Sequence, residues 1–162
     1  MTVEQGTARP VIVHRAILGS VERMLAILTE HFAGNWPLWL SPRQVMVVPI
    51  SEKQADYAQL VRRALRAKGF HVEADTTDRK MQKKVREAEV ARWNYIVVVG
   101  EQEKVDGTIN VRTRGMYTAG VMSLEAFIEA VLEEKRTHSR EPAFKPPPGF
   151  QPAAAADGAG DA

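Results

Sequence analysis

Val45 to Ile50 is an unbroken apolar run, which predicts a strand covered on both faces. Lys53 to Lys68 places Tyr57, Leu60, Val61, Ala64 and Leu65 at helical spacing. Gly69 follows where a helix C-cap glycine belongs. Phe70 to Ala74 reads as a short strand, and Arg79 to Ala91 as a helix with a narrow stripe of Met81, Val85 and Ala88. Tyr95 to Val99 is a second buried strand, ended by Gly100. Val105 to Thr108 contains Asp-Gly, a turn signal, and Ile109 to Thr113 is a strand after it. Ser123 can cap a last helix whose inner face is Leu124, Phe127, Ile128, Val131 and Leu132. Alternating strands and helices predict an α/β fold: a mixed, mostly parallel sheet with helices on both faces.

Three divisions follow, with boundaries at 1–42, 43–138 and 139–162. The front holds a short strand, Val11 to Val13, and an amphipathic helix, Ser20 to Phe32, with Val21, Met24, Leu25, Leu28 and Phe32 inward. A lone strand and helix cannot form a core, so this segment reads as the edge of something larger. Gly34 to Pro42 carries Trp36, Pro37, Trp39 and Pro42, the composition of a rigid, aromatic-packed link. From Glu141 to Ala162 the chain is rich in Pro and Ala. Few apolar side chains there offset the ordering entropy, which predicts a disordered tail.

Composition narrows the classes. With 162 residues, 44% of them hydrophobic, the chain can bury a core. Zero Cys excludes a disulfide scaffold, Cys-ligated zinc within the chain and a cysteine nucleophile. No apolar run is long enough to span a membrane, and Met1 to Pro10 lacks the apolar core of a secretory signal. The expectation is a soluble, cytoplasmic protein, with a mitochondrial location as the alternative. The net charge is only +2, but it is unevenly spread. Arg79, Lys80, Lys83, Lys84, Arg86 and Arg92 cluster around one helix, while the last helix carries Glu125, Glu129, Glu133 and Glu134. Such a cluster suits a phosphate backbone, and it equally suits a solvated helix face. Arg112 and Arg114 extend the basic character at a strand end, where open α/β sheets gather ligands. His14, His31, His71 and His138 have no partners at catalytic or metal spacing, and Asp75 to Asp78 can cap the helix after it.

Several stretches together carry a resemblance. His14 to Arg23 (HRAILGSVER) resembles the last catalytic motif of the threonyl-tRNA synthetases, a class II family. Gly34 to Gln44 (GNWPLWLSPRQ) resembles the join to their anticodon-binding domain. Lys83 to Arg86 (KKVR), Asn94 to Glu103 (NYIVVVGEQE) and Gly107 to Arg114 (GTINVRTR) resemble that domain itself. The match is collinear from about Pro10 to His138, and its wording is closer to the eukaryotic cytosolic type.

The resemblance implies roles for single residues. Glu103 and Arg112 fall where the family has base-reading side chains for the second and third anticodon letters. Lys83, Lys84 and Arg86 would hold the phosphate backbone beside them. Asp78 falls at a third base-contacting position, an Asn in bacterial members; aspartate lacks the amide donor and repels phosphate. His14 matches one of three ligands of a catalytic zinc, and Arg23 an arginine that contacts ATP. The residues that accompany both in the family are absent from this chain. Zn2+, Mg2+ and ATP are therefore expected only in a complete enzyme, and this chain alone is expected to bind no cofactor and to be inactive. The implied partner is threonine tRNA, with a homodimer formed through the catalytic domain. The implied activity is part of a threonine–tRNA ligase; the alternative is a free-standing tRNA-binding accessory protein.

Overall fold

The computed structural model describes residues 11–115 and 117–147. Strands β1 (Val45–Pro49), β2 (Val72–Ala74), β3 (Tyr95–Val99), β4 (Thr108–Thr113) and β5 (Thr118–Ser123) form one sheet in the order β2-β1-β3-β4-β5. β1 lies parallel to both β2 and β3, while β3–β4 and β4–β5 are antiparallel. The sheet is mixed, as expected, but its parallel and antiparallel pairings balance, because β5 adds an antiparallel pair that the apolar pattern does not announce.

Helices cover both faces. Helix α2 (Ala55–Ala67) and helix α5 (Leu124–Arg136) contribute Ala58, Val61, Leu65, Phe127, Ile128 and Val131 to the larger core cluster, with Val47, Val97, Ile109 and Val111 from the strands. Helix α3 (Met81–Val90) covers the other face, with Val85 and Ala88 against Val48, Ile96 and Val98. Full burial of β3 explains its uninterrupted Tyr-Ile-Val-Val-Val sequence. Leu60 departs from the expected inner face of α2: it is 49% exposed, and Ala58 takes the buried position.

Local signals account for most ends. Gly69, at φ +80, follows α2; its N–H bonds the Arg66 carbonyl and the Phe70 N–H bonds that of Leu65. This is a Schellman arrangement, and only glycine adopts its backbone without strain. Ser123 caps α5 by accepting from the Ala126 N–H. Asp106-Gly107 does not make the expected hairpin turn. It ends a short helix, α4 (Glu101–Asp106), whose last N–H donor, from Gly107, reaches the Glu103 carbonyl.

The chain divides into two compact units, 1–34 and 35–162. In the first, α1 (Val21–Phe32) starts at Ser20, whose side chain accepts from the Arg23 N–H, and it buries none of its residues. Val11 to Val13 is not a strand: no described strand lies beside it to bond its backbone. The second unit begins at Asn35, ahead of the expected boundary after Pro42, because the link is built into it. Leu38 is fully buried, the Trp36 carbonyl accepts from Asn94 Nδ2 and Arg114 Nη1, and Gln44 bridges the Leu38 carbonyl and the His71 N–H.

The segment after α5 also differs from expectation. The Ala143 N–H donates to Glu134 (2.8 Å) and Tyr95 Oη (2.9 Å), and the Phe144 ring stacks on Phe127. Disorder is thus the wrong description of the residues up to Phe144. A backbone donor docks on the bonded Tyr95–Glu134 pair, and an aromatic ring stacks on Phe127. The remainder of the predicted tail, 148–162, lies outside the described residues.

Candidate nucleic-acid interface

Parallel strands β1 and β3 both end at one edge of the sheet, where Glu103 and Asp78 lie, while Arg112 lies toward the opposite end, where β3 begins. Ile50 follows β1 and Gly100 follows β3, and the Ile50 N–H bonds the Val99 carbonyl. Glu103, in the first turn of α4, turns back so that its carboxylate accepts from the Gly100 N–H at 2.9 Å. A Cβ on Gly100 would lie 2.8 Å from both Glu103 Oε2 and Ile50 Cδ1, so a larger residue there would push both side-chain ends aside. The Glu103 carboxylate is half-buried, capped on one oxygen and fixed in place. Its charge is felt by Tyr57, whose hydroxyl donates to the Thr108 carbonyl; burial first, then Glu103 and Glu125, raise that phenol's pKa.

Arg112 lies on β4, which runs back from this edge beside β3, opposite Ile96. Alternation along β4 sends Ile109 and Val111 into the larger core and leaves Asn110 and Arg112 on the α3 side of the sheet. Helix α3 packs over β1 and β3. The β4–β5 part of that face stays open, and Val121, paired with Asn110, is 60% exposed. Arg112 Nε and Asn110 Oδ1 are both shut off from solvent without a hydrogen-bond partner. Asn110 had no distinguishing signal in the sequence, since one polar residue in a β4 alternation is ordinary.

A cleft of about 370 Å³ adjoins Ile50, at the carboxyl ends of β1 and β2. Ser51, Lys53, Asp78, Lys80 and Lys84 are among its lining residues. Asp78 is exposed there, between Thr77 and Arg79. The neighbouring Asp75 is the residue that organises the turn. It accepts from the Thr77 N–H and hydroxyl and pairs with Arg79 at 2.8 Å. Burial works against the charge on Asp75, but the Thr77 bonds and the charges of Arg79 and Lys84 outweigh it and hold its pKa low.

The basic cluster of the sequence separates into different environments. Arg79 also pairs with Glu87, and Arg92 donates to Asn35. Lys84 is 3% exposed and its ammonium donates to the Asp75 carbonyl at 3.1 Å. Lys84 is therefore not part of a solvent-facing basic group with Lys83. One helical step turns its side chain inward, under the cleft. Lys80, Lys83 and Arg86 remain exposed, Lys80 at the cleft and the other two on the outer face of α3.

Among its described residues the front unit holds no comparable site. His14 is exposed in irregular chain and Arg23 is exposed on α1. Among the described residues no group of three or more His, Cys, Asp or Glu is placed to hold a metal. With no cysteine in the chain, His14 does not fit a three-ligand zinc centre by itself.

Similarity to known proteins bears on this geometry. The family model described as "Anticodon binding domain" matches residues 44–134. The threonine–tRNA ligase, mitochondrial 1, of Arabidopsis thaliana is 54% identical over 126 residues, covering 78% of this chain and 18% of the relative. The cytoplasmic threonine–tRNA ligase of Saccharomyces cerevisiae is 50% identical over 128 residues, covering 79% of this chain and 17% of the relative. The chain thus spans less than a fifth of the length of these curated relatives. Among solved structures, the RNA-binding domain of threonyl-tRNA synthetase from Cryptosporidium parvum Iowa II is similar, with a TM-score of 0.69 at 43% identity. That likeness covers 82% of this chain and 33% of the other.

Proposed function

This chain belongs to the anticodon-binding domain family, and its domain is homologous to that of threonyl-tRNA synthetases; from that premise we propose that it grips and reads the anticodon loop of threonine tRNA. The observation that carries the reading is the coincidence of the matched residues 44–134 with the sheet unit that carries Glu103 and Arg112. Unstacked loop bases expose hydrogen-bonding edges, which a fixed carboxylate and a forked guanidinium can discriminate. Lys80, Lys83 and Arg86 supply contact to the phosphate backbone, and Asp78, facing the same cleft, keeps phosphate away from its own position.

The larger role is part of a threonine–tRNA ligase, which joins threonine to its tRNA with ATP, in a homodimeric enzyme. Zn2+, Mg2+ and ATP belong to that complete enzyme, where His14 and Arg23 would take part in metal and ATP binding. Relatives include cytoplasmic and mitochondrial forms, and we assign this chain to the cytoplasm. No helix among the described residues is long and apolar enough to cross a membrane.

The test is binding of threonine tRNA, measured against salt and against anticodon variants. Arg112→Ala is expected to weaken cognate binding about tenfold or more and to flatten preference at one anticodon letter. Lys83→Ala is expected to weaken all tRNAs alike and to lower the salt slope by about 1. Unchanged preference in Arg112→Ala, or salt-insensitive binding, would overturn the reading.

A further inference from the structure

The open half of the sheet holds an arrangement that the resemblance leaves unassigned. Asn110 is flanked by Val98 on β3 and Val121 on β5, and Arg112 is its next neighbour on the same face. Along β4, Asn110 lies between Arg112 and the sheet edge where Gly100 and Glu103 meet. Asn110 Oδ1 and Arg112 Nε are both withheld from water, and neither has a partner. A polar atom in that condition costs roughly 1–3 kcal/mol of folding stability, and native structures keep few of them. Trp39, Arg62 and Asn94 each hold such an atom too, but Asn110 and Arg112 stand two residues apart on one strand face beside the exposed Val121, where a partner from outside the chain can reach them.

We propose that Asn110 is a second base-reading side chain of this face, accepting through Oδ1 an N–H from the anticodon base next to the one held by Arg112. The inference rests on the anticodon-reading function proposed above. Arg112 follows Asn110 by two residues on the same face of β4, so one bound loop can reach both groups. The amide then presents an acceptor beside a donor, the pattern that complements an N–H next to a carbonyl on a base edge. Exposed Val121, paired with Asn110 across the strands, gives apolar surface for an unstacked base plane. Asn110 therefore contributes specificity, whereas exposed lysines contribute only grip.

The experiment uses the whole 162-residue chain and a set of threonine tRNA anticodon stem-loops, each with one anticodon base changed. Asn110→Leu keeps the shape and removes both polar groups. Its expected affinity for the cognate loop falls about tenfold, with preference lost at one letter and kept at the others. Its thermal midpoint is expected at or above that of the parent, since an unpaired polar atom has been removed. Asn110→Leu with parent affinity and parent preference, beside an Arg112→Ala that loses preference, would overturn the assignment of Asn110 alone. An equal loss on every loop also overturns it, since that is the signature of a structural residue. If Arg112→Ala and Asn110→Leu both keep full preference, the anticodon reading itself fails.

Discussion

The front helix and the sheet unit both display apolar stripes, yet they use them differently. In α1, Val21 is 65% exposed and Leu25 58% exposed, and nothing in the helix is buried. In α5, a helix of almost the same length, Phe127 and Val131 are fully buried. Amphipathic spacing is thus a statement about what a helix can bury, and stability comes only where a partner surface exists. The front unit offers capping by Ser20 and an i−4 bond from Thr29 to the Leu25 carbonyl, both local. The sheet unit adds long-range closure: Tyr95 joins α5 and the segment after it, and Gln44 ties the link to β2.

The sharpest way to break this comparison is to empty the core of one unit. Phe127→Ala should cost about 3–5 kcal/mol, because it removes a fully buried ring that stacks on Phe144 and meets Tyr95 edge-on. Chemical denaturation of the full chain reads this directly, and a loss below 1 kcal/mol would deny the ring its place in the core.

A smaller effect comes from Glu134, 6% exposed, which accepts from the Tyr95 hydroxyl at 2.5 Å and from the Ala143 N–H. Burial raises its pKa above the ordinary 4.5, although the Tyr95 and Ala143 bonds and the Arg114 charge oppose this. The folded state then holds its proton more tightly than the unfolded state does. Stability attributable to this group therefore falls as pH rises from 4.5 through the raised value, and it is regained on acidification. Glu134→Gln should remove that segment of the pH–stability profile, whereas Glu134→Ala should cost about 1–3 kcal/mol by taking the acceptor from the buried Tyr95 hydroxyl. A Gln variant with the parent's profile between pH 4.5 and neutrality would refute the assignment.

The smallest expected effect lies on the other side of the comparison. Leu25→Ser in α1 should leave the unfolding midpoint of the sheet unit within about 0.5 kcal/mol of the parent. A larger loss would mean that α1 is packed in solution.

How legible each part was follows from the range of the forces involved. β1 and β3 were plain as apolar runs, and the α2 end was plain because Gly69 satisfies a backbone geometry that few other residues tolerate. β5 was not legible: Thr-Ala-Gly-Val-Met-Ser has no clear alternation and contains Gly120 at φ +102. It is a strand because β4 supplies an edge to pair with. α4 was hidden by its polarity and by the turn signal in Asp106-Gly107, which a helix C-cap uses as readily as a hairpin does. Within the candidate site, Glu103 and Arg112 carried a resemblance, while Asn110 became visible only as an unbonded atom on an open face. The basic cluster was overcounted, because spacing alone does not tell which lysine turns under a cleft.

By itself, the order of residues determined the elements whose causes are local or nearest-neighbour. These are the buried runs of β1 and β3, the caps at Ser20, Gly69 and Ser123, the absence of cysteine chemistry and the family motifs. Tertiary structure decided everything that depends on a distant partner. It selected Ala58 over Leu60 for the core, drew Lys84 inward to the Asp75 carbonyl and fastened Ala143 and Phe144 onto α5. It also set Asn110 and Arg112 on one face of β4, with Glu103 at the end of the sheet far from Arg112. The physical reason is that burial and hydrogen bonding are satisfied between segments far apart in the chain, and no local pattern specifies which two segments meet.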